Sequence, residues 1–144
     1  MAKNPPRPVH EKKAKGDVAV AFVIARLVEM GWSVGVPLSE HTPYDLFAEK
    51  DGVVHTVQVR HAASHGTHLH VSLSTSWADR RGNHRRNRKG GQYTILAIYC
   101  PDSGVYFLSD ECLGQNCREV ILRLSPTKNG QSRHVRMARD YRTL

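Results

Sequence analysis

Residues 43–60 read PYDLFAEKDGVVHTVQVR. Two apolar runs, Tyr44–Glu49 and Val53–Arg60, flank Asp51-Gly52, and Asp-Gly between such runs is a strong short-range hairpin signal. Side chains alternate along a strand, so Gln58 and Arg60 share one face while Val59 points to the other, into the core. Folding the hairpin back on itself can bring Asp45 beside that polar pair.

The flanking segments supply the rest of an α/β layer. Val18, Ala21, Phe22, Ala25, Leu27 and Val28 recur at three- and four-residue spacing between Lys15 and Met30, and Gly31 stands where a helix would stop. Trp32–Val36 reads as a short strand and His68–Ser74 as a half-buried one. Tyr93–Tyr99 and Val105–Leu108 form a second hairpin around Pro101-Asp102-Ser103-Gly104, followed by a helical start at Ser109-Asp110-Glu111. A last strand is expected near Val120–Leu124 and a helical end over Arg133–Tyr141. This order predicts an α/β fold with a central mixed sheet. Pro5, Pro6 and Pro8 followed by Lys12 and Lys13 mark residues 1–14 as a flexible basic tail, which leaves 15–144 as a single domain.

Lysine and arginine number 21 against 13 acids, a net charge of +8 that favours polyanionic partners. No apolar run approaches the roughly 20 residues a bilayer span needs, and Met1–Lys15 lacks the apolar segment of a signal peptide; no membrane partner and an intracellular, cytoplasmic location are expected. Cys100, Cys112 and Cys117 form no Cys-x-x-Cys pair, and their odd number suits reduced thiols. His61, His65, His68 and His70 crowd together, but no Cys or acid pair completes a zinc set, so solvent or phosphate contact is the expected role.

Between Ser76 and Gln92 the chain is strongly basic and nearly free of apolar residues. Arg80, Arg81, Arg85, Arg86, Arg88 and Lys89 are expected on an exposed, phosphate-gripping loop, with Lys128, Arg133 and Arg136 adding positive charge near the C-terminus. Asp45 with Gln58 and Arg60 suits phosphodiester hydrolysis. A carboxylate can hold Mg²⁺, which activates water, while a neighbouring cation holds phosphate or nucleophile.

Lys15-Gly16-Asp17 opening a helix, Gly31-Trp32-Ser33-Val34, Pro43-Tyr44-Asp45, Gln58-Val59-Arg60 and the C-terminal Leu122–Tyr141 segment together resemble the PD-(D/E)XK nucleases. The likeness is greatest to the small group I intron homing endonucleases. It implies a restriction-endonuclease-like αβββαβ core and a sequence-specific, metal-dependent endonuclease acting on double-stranded DNA. The divalent metal would be held by Asp45, Gln58 and the Val59 carbonyl. Three positions depart from the family pattern. Gln58 replaces the commoner acid, Arg60 stands where Lys is expected, and Val20 stands where a helix-one Glu is common, leaving Asp17 as the nearest acid for that role. One site per chain cuts one strand, so a homodimer or homotetramer is expected. The competing readings are a catalytically decayed DNA-binding module of the same fold and a small basic RNA-binding protein.

Overall fold

The computed structural model describes residues 11–144. Helix α1 (Glu11–Glu29) opens the described chain, followed by β1 (Ser33–Gly35), β2 (Leu46–Lys50) and β3 (Val53–His61). Then come β4 (His68–Ser72), β5 (Thr75–Asp79), β6 (Gly82–Arg86), β7 (Ile95–Cys100) and β8 (Gly104–Ser109). Helix α2 (Asp110–Leu113), β9 (Glu119–Arg123) and a 3-10 turn at Ala138–Tyr141 complete the chain.

The helix begins four residues before the expected Lys15, so Glu11–Ala14 are helical rather than part of a tail, and residues 1–10 lie outside the described residues. Its end is as the sequence indicates. Gly31 takes φ +82°, its N–H donates to Val28 O at 3.0 Å, and Trp32 N–H donates to Leu27 O at 3.0 Å. This paired capping needs a left-handed residue after the last turn, which glycine supplies without a Cβ clash. No described helix is long and apolar enough to cross a membrane.

A five-stranded sheet in the order β1-β2-β3-β7-β8 forms the middle layer, antiparallel throughout except for the parallel β3–β7 pair. Asp51 (φ 53°) and Gly52 (φ 80°) make the β2–β3 turn, both left-handed as a two-residue hairpin requires. Every residue of β7 is buried because both sheet faces are covered. Ile95, Ala97 and Tyr99 join Val57 and Val59 beneath Ala19, Val23 and Leu27 of α1. Leu96, Ile98 and Cys100 pack on the other side against Leu69 and Val71 of β4 and Val120 and Leu122 of β9, which pair as a separate two-stranded layer. The core is therefore α1, central sheet, then β4–β9.

The parallel crossover from β3 to β7 is made of strands: β4, then an antiparallel β5–β6 hairpin. The segment read as a basic loop is thus a paired ribbon. All of its residues except His84 are exposed, which is why no apolar alternation betrays it. At the C-terminus the expected helix over Arg133–Tyr141 shrinks to the single 3-10 turn, with Arg123 bridging Met137. The three cysteines are free, Cys100 buried and Cys112 exposed.

Candidate active site

Register places the site. Leu46 of β2 pairs with Val57 of β3, and Asp45, one residue earlier, donates its N–H to Val57 O at 2.8 Å. Beyond that point β2 ends while β3 continues to His61, so residues 58–61 keep only β7 as a neighbour. Val57 and Val59 orient their backbone groups to the β2 side, and Val59 N–H is met there by the Asp45 carboxylate, Oδ2 accepting at 2.7 Å. The same Oδ2 accepts from Gln58 Nε2 at 2.8 Å, and Gln58 Nε2 lies 3.3 Å from Val59 O. Three oxygen-bearing groups thus converge on the freed edge of β3.

Burial pushes the Asp45 carboxyl above its ordinary value of 3.8, more than the Val59 N–H and the Arg60 guanidinium draw it down. Arg60 stands near enough to act on that charge, yet it forms no ion pair among the described residues. Its Nε is buried without a hydrogen-bond partner. A buried unpaired donor costs about 1–3 kcal/mol, a cost this arrangement carries at Arg60.

Two clefts meet at Arg60. One, of about 350 Å³, is lined by Thr42, Pro43, Gln58, Arg60, Trp77 and Arg86 among others. The second, of about 670 Å³, runs past Val59, Arg60 and His61 to Lys12 and Lys15 of α1, with His70 and Arg85 on its far wall. Among the described residues no carboxylate lines either cleft, and the charged side chains on both are basic.

The oxygen donors fit a hard divalent cation. The Asp45 carboxylate, the Val59 carbonyl and the Gln58 side-chain carbonyl are the ligand types Mg²⁺ accepts alongside water. In the structure the Gln58 amide nitrogen donates to Asp45 Oδ2 and to Val59 O. Binding a metal requires Gln58 to turn its amide and present Oε1. Among the described residues no group of three or more His, Cys, Asp or Glu is placed to hold a metal ion. His65 and His68 stack on each other, and His70 pairs with Glu119 at 2.7 Å.

The other expected residues divide. Asp17 is exposed on α1 and lines neither cleft, whereas Lys12, Lys15 and Gly16 of the same helix line the larger one; Val20 packs half-buried against the apolar cluster. Arg80, Arg81, Arg85, Arg86 and Lys89 are exposed, as are Lys128 and Arg133. Arg88 is not: it is 5% exposed, ion-paired with Asp110, bonded to Gly114 O at 2.7 Å and set over the Tyr93 ring. It fastens the end of the hairpin to α2, so it is buried rather than on the exposed loop expected of it, although it also lines the smaller cleft. Arg136 is half-buried and donates to Cys112 O at 3.0 Å. Sequence reading overlooked Lys12 and Lys15 as cleft residues because their neighbours across the cleft, Val59 and Arg60, lie far along the chain.

A mixed sheet whose freed strand edge gathers an acid, an amide and a cation is the layout of a phosphodiesterase of the nuclease class. The family model for the PD-(D/E)XK endonucleases matches residues 10–144, and the chain belongs to that family. Among solved structures it is similar to the bacterial homing endonuclease I-Ssp6803I, with a TM-score of 0.69 and 25% identity over 91% of this chain and 88% of that one. No curated protein matches it.

Proposed function

We infer that this endonuclease-family chain hydrolyses double-stranded DNA at defined sequences, with a divalent cation, Mg²⁺ or a similar ion, held by Asp45, Gln58 and the Val59 carbonyl. The observation that carries the reading is the convergence of the Asp45 carboxylate, the Gln58 side chain and the Val59 backbone at the freed β3 edge, next to Arg60, which lines two cationic clefts. A phosphate entering either cleft would meet the Arg60 guanidinium, and a divalent cation would be held by Asp45, Gln58 and the Val59 carbonyl.

The residues divide the work. Lys12, Lys15 and Arg85 line the larger cleft and draw in the phosphate backbone. Arg60 grips the phosphate with a fixed positive charge, and because guanidinium stays protonated it neither takes nor gives a proton at neutral pH. Asp45 and Gln58 orient the metal ion, whose chemistry is to lower the pKa of bound water and to stabilise developing negative charge. Asp17 has no part in this scheme.

Cutting both strands with one site per chain calls for a symmetric pair, so a homodimer or homotetramer is the proposed working unit. Val18, Phe22 and Val28 leave exposed apolar surface on α1, more than a single solvated helix face needs. Sedimentation at working concentration tests this.

The decisive experiment is incubation of supercoiled plasmid and a randomised duplex library with the purified chain, with and without Mg²⁺. Metal-dependent linear product at recurrent sequences supports the reading. Specific binding without cleavage favours the decayed module, for which the half-buried Val20 and the Arg60 guanidinium are the structural grounds.

A further inference from the structure

The β5–β6 ribbon contributes no residue to either core cluster, although a two-stranded ribbon is marginal in water by itself. Its two faces differ. On one, Thr75, Trp77 and Asp79 lie across from Arg86, His84 and Gly82. Trp77 and His84 stack with centroids 5.2 Å apart, Arg86 sits 5.6 Å from the Trp77 centroid, and Asp79 Oδ1 bonds His84 Nε2 at 2.9 Å. This face stiffens the ribbon from within. On the other, Ser76 and Ala78 lie across from Arg85 and Asn83. Arg85 Nε is tethered to Ser74 Oγ at 2.8 Å, while the Ser76 and Asn83 side chains make no hydrogen bond among the described residues.

The ribbon stands between the clefts: Thr75, Trp77 and Arg86 line the smaller, Ser76 and Arg85 the larger. Its charge suits one kind of partner. Arg80, Arg81, Arg85 and Arg86 are exposed, and its sole acid, Asp79, is engaged by His84 and by Arg81 N–H. Paired strands lie about 4.8 Å apart, so a ribbon with its side chains enters a DNA major groove about 12 Å wide.

We propose that the β5–β6 ribbon enters the major groove with Ser76, Ala78 and Asn83 toward the base edges while Arg85, tethered to Ser74, meets phosphate, and that Asn83 determines the base preferred at one target position. An asparagine amide donates to and accepts from one adenine edge at once, and an adjacent Ala methyl suits the thymine methyl. Asn83 and Ala78 are cross-strand partners, so both contacts fall at one step of the DNA. The tip arginines Arg80 and Arg81 then meet phosphate, which positions the ribbon without reading sequence. The proposal rests on duplex DNA being the substrate but not on cleavage.

The test is selection of bound sequences from a randomised duplex library in EDTA, using the full chain, Asn83→Ala and Arg86→Ala. Asn83 is exposed and unbonded, so thermal unfolding of Asn83→Ala should match wild type. Expected is a wild-type consensus with one adenine preference that falls roughly 5- to 150-fold in Asn83→Ala, with affinity for unrelated duplex unchanged. Arg86→Ala should keep the consensus and lose affinity uniformly. An identical consensus in Asn83→Ala, or no consensus in wild type, overturns the proposal even if the chain cleaves DNA. Selection through Asn83 by a chain that never cleaves sinks the catalytic reading and leaves this one standing.

Discussion

Gln58 meets Asp45 with its amide nitrogen, Nε2 donating to Oδ2 at 2.8 Å, and the same nitrogen lies 3.3 Å from the Val59 carbonyl oxygen. The uncharged amide satisfies both acceptors by hydrogen bonding, and it would have to turn and present Oε1 to serve as a metal ligand. This gives Gln58 two roles that different replacements separate. Gln58→Glu should tighten Mg²⁺ binding, because a second carboxylate adds charge to the donor set, while lowering stability without metal through repulsion from Asp45. Calorimetric metal titration and thermal unfolding in EDTA should move in opposite directions; movement of both in the same direction would refute this account of Gln58.

Asp45→Asn should abolish metal-dependent cleavage and leave DNA affinity equal or higher, since removing a carboxylate weakens metal binding and relieves repulsion of phosphate. Its effect on stability follows from the raised pKa. A carboxyl held above its ordinary 3.8 in the folded chain binds its proton more tightly there than when unfolded. Stability is therefore gained as pH falls through the raised value and lost as pH rises from 3.8 through it, leaving ionised Asp45 a cost at neutral pH. Asp45→Asn should unfold at the same or a higher temperature than wild type at pH 7, and metal binding by wild type should fade at a pH above the usual Asp range. Full cleavage by Asp45→Asn would remove Asp45 from the mechanism.

The basic segment separates into surface and anchor. Replacing Arg85 and Arg86 together with Ala should weaken DNA binding and reduce its salt slope by up to about two phosphate contacts, with the melting temperature unchanged. Arg88→Ala should do the reverse. Its loss leaves Asp110 half-buried without its cation and costs about 2 kcal/mol or more, while the salt slope stays near wild type. Denaturant melts and salt titrations of both variants check the division. A stable Arg88→Ala with a reduced slope would return Arg88 to the DNA surface.

Much of this architecture was legible in the chain because the signals are local. Gly31 stops α1 through a capping pattern any left-handed residue would serve, and Asp51-Gly52 turns β2 into β3, which by register alone carries Asp45 to Gln58 and Val59. The β5–β6 ribbon was not legible, since it is held by Trp77–His84 stacking and Arg85–Ser74 bonding rather than by an alternating apolar face. Arg88 is indistinguishable from its basic neighbours until Asp110 and Gly114 are brought against it. The early start of α1 was hidden by a composition that reads as a tail, although Lys12 and Lys15 prove to wall the larger cleft.

Arg60 is where cleaving enzyme and binding module part. Its half-buried guanidinium lines both clefts, and in the proposed scheme its contribution to cleavage is fixed charge at the phosphate. Arg60→Ala should lower the cleavage rate by about two orders of magnitude or more, the scale seen when one preorganised stabiliser of developing charge is lost. Arg60→Lys keeps the charge on a compact group able to exchange a proton and should retain or raise the rate. Removing the unsatisfied Nε should also make Arg60→Ala no less stable than wild type, which distinguishes lost chemistry from lost structure. Single-turnover cleavage and thermal melts of both variants are the measurements. Strong wild-type cleavage that Arg60→Ala leaves untouched would show that the scissile phosphate does not pass this residue, and with it the assignment of the β3 edge as the active site would fail.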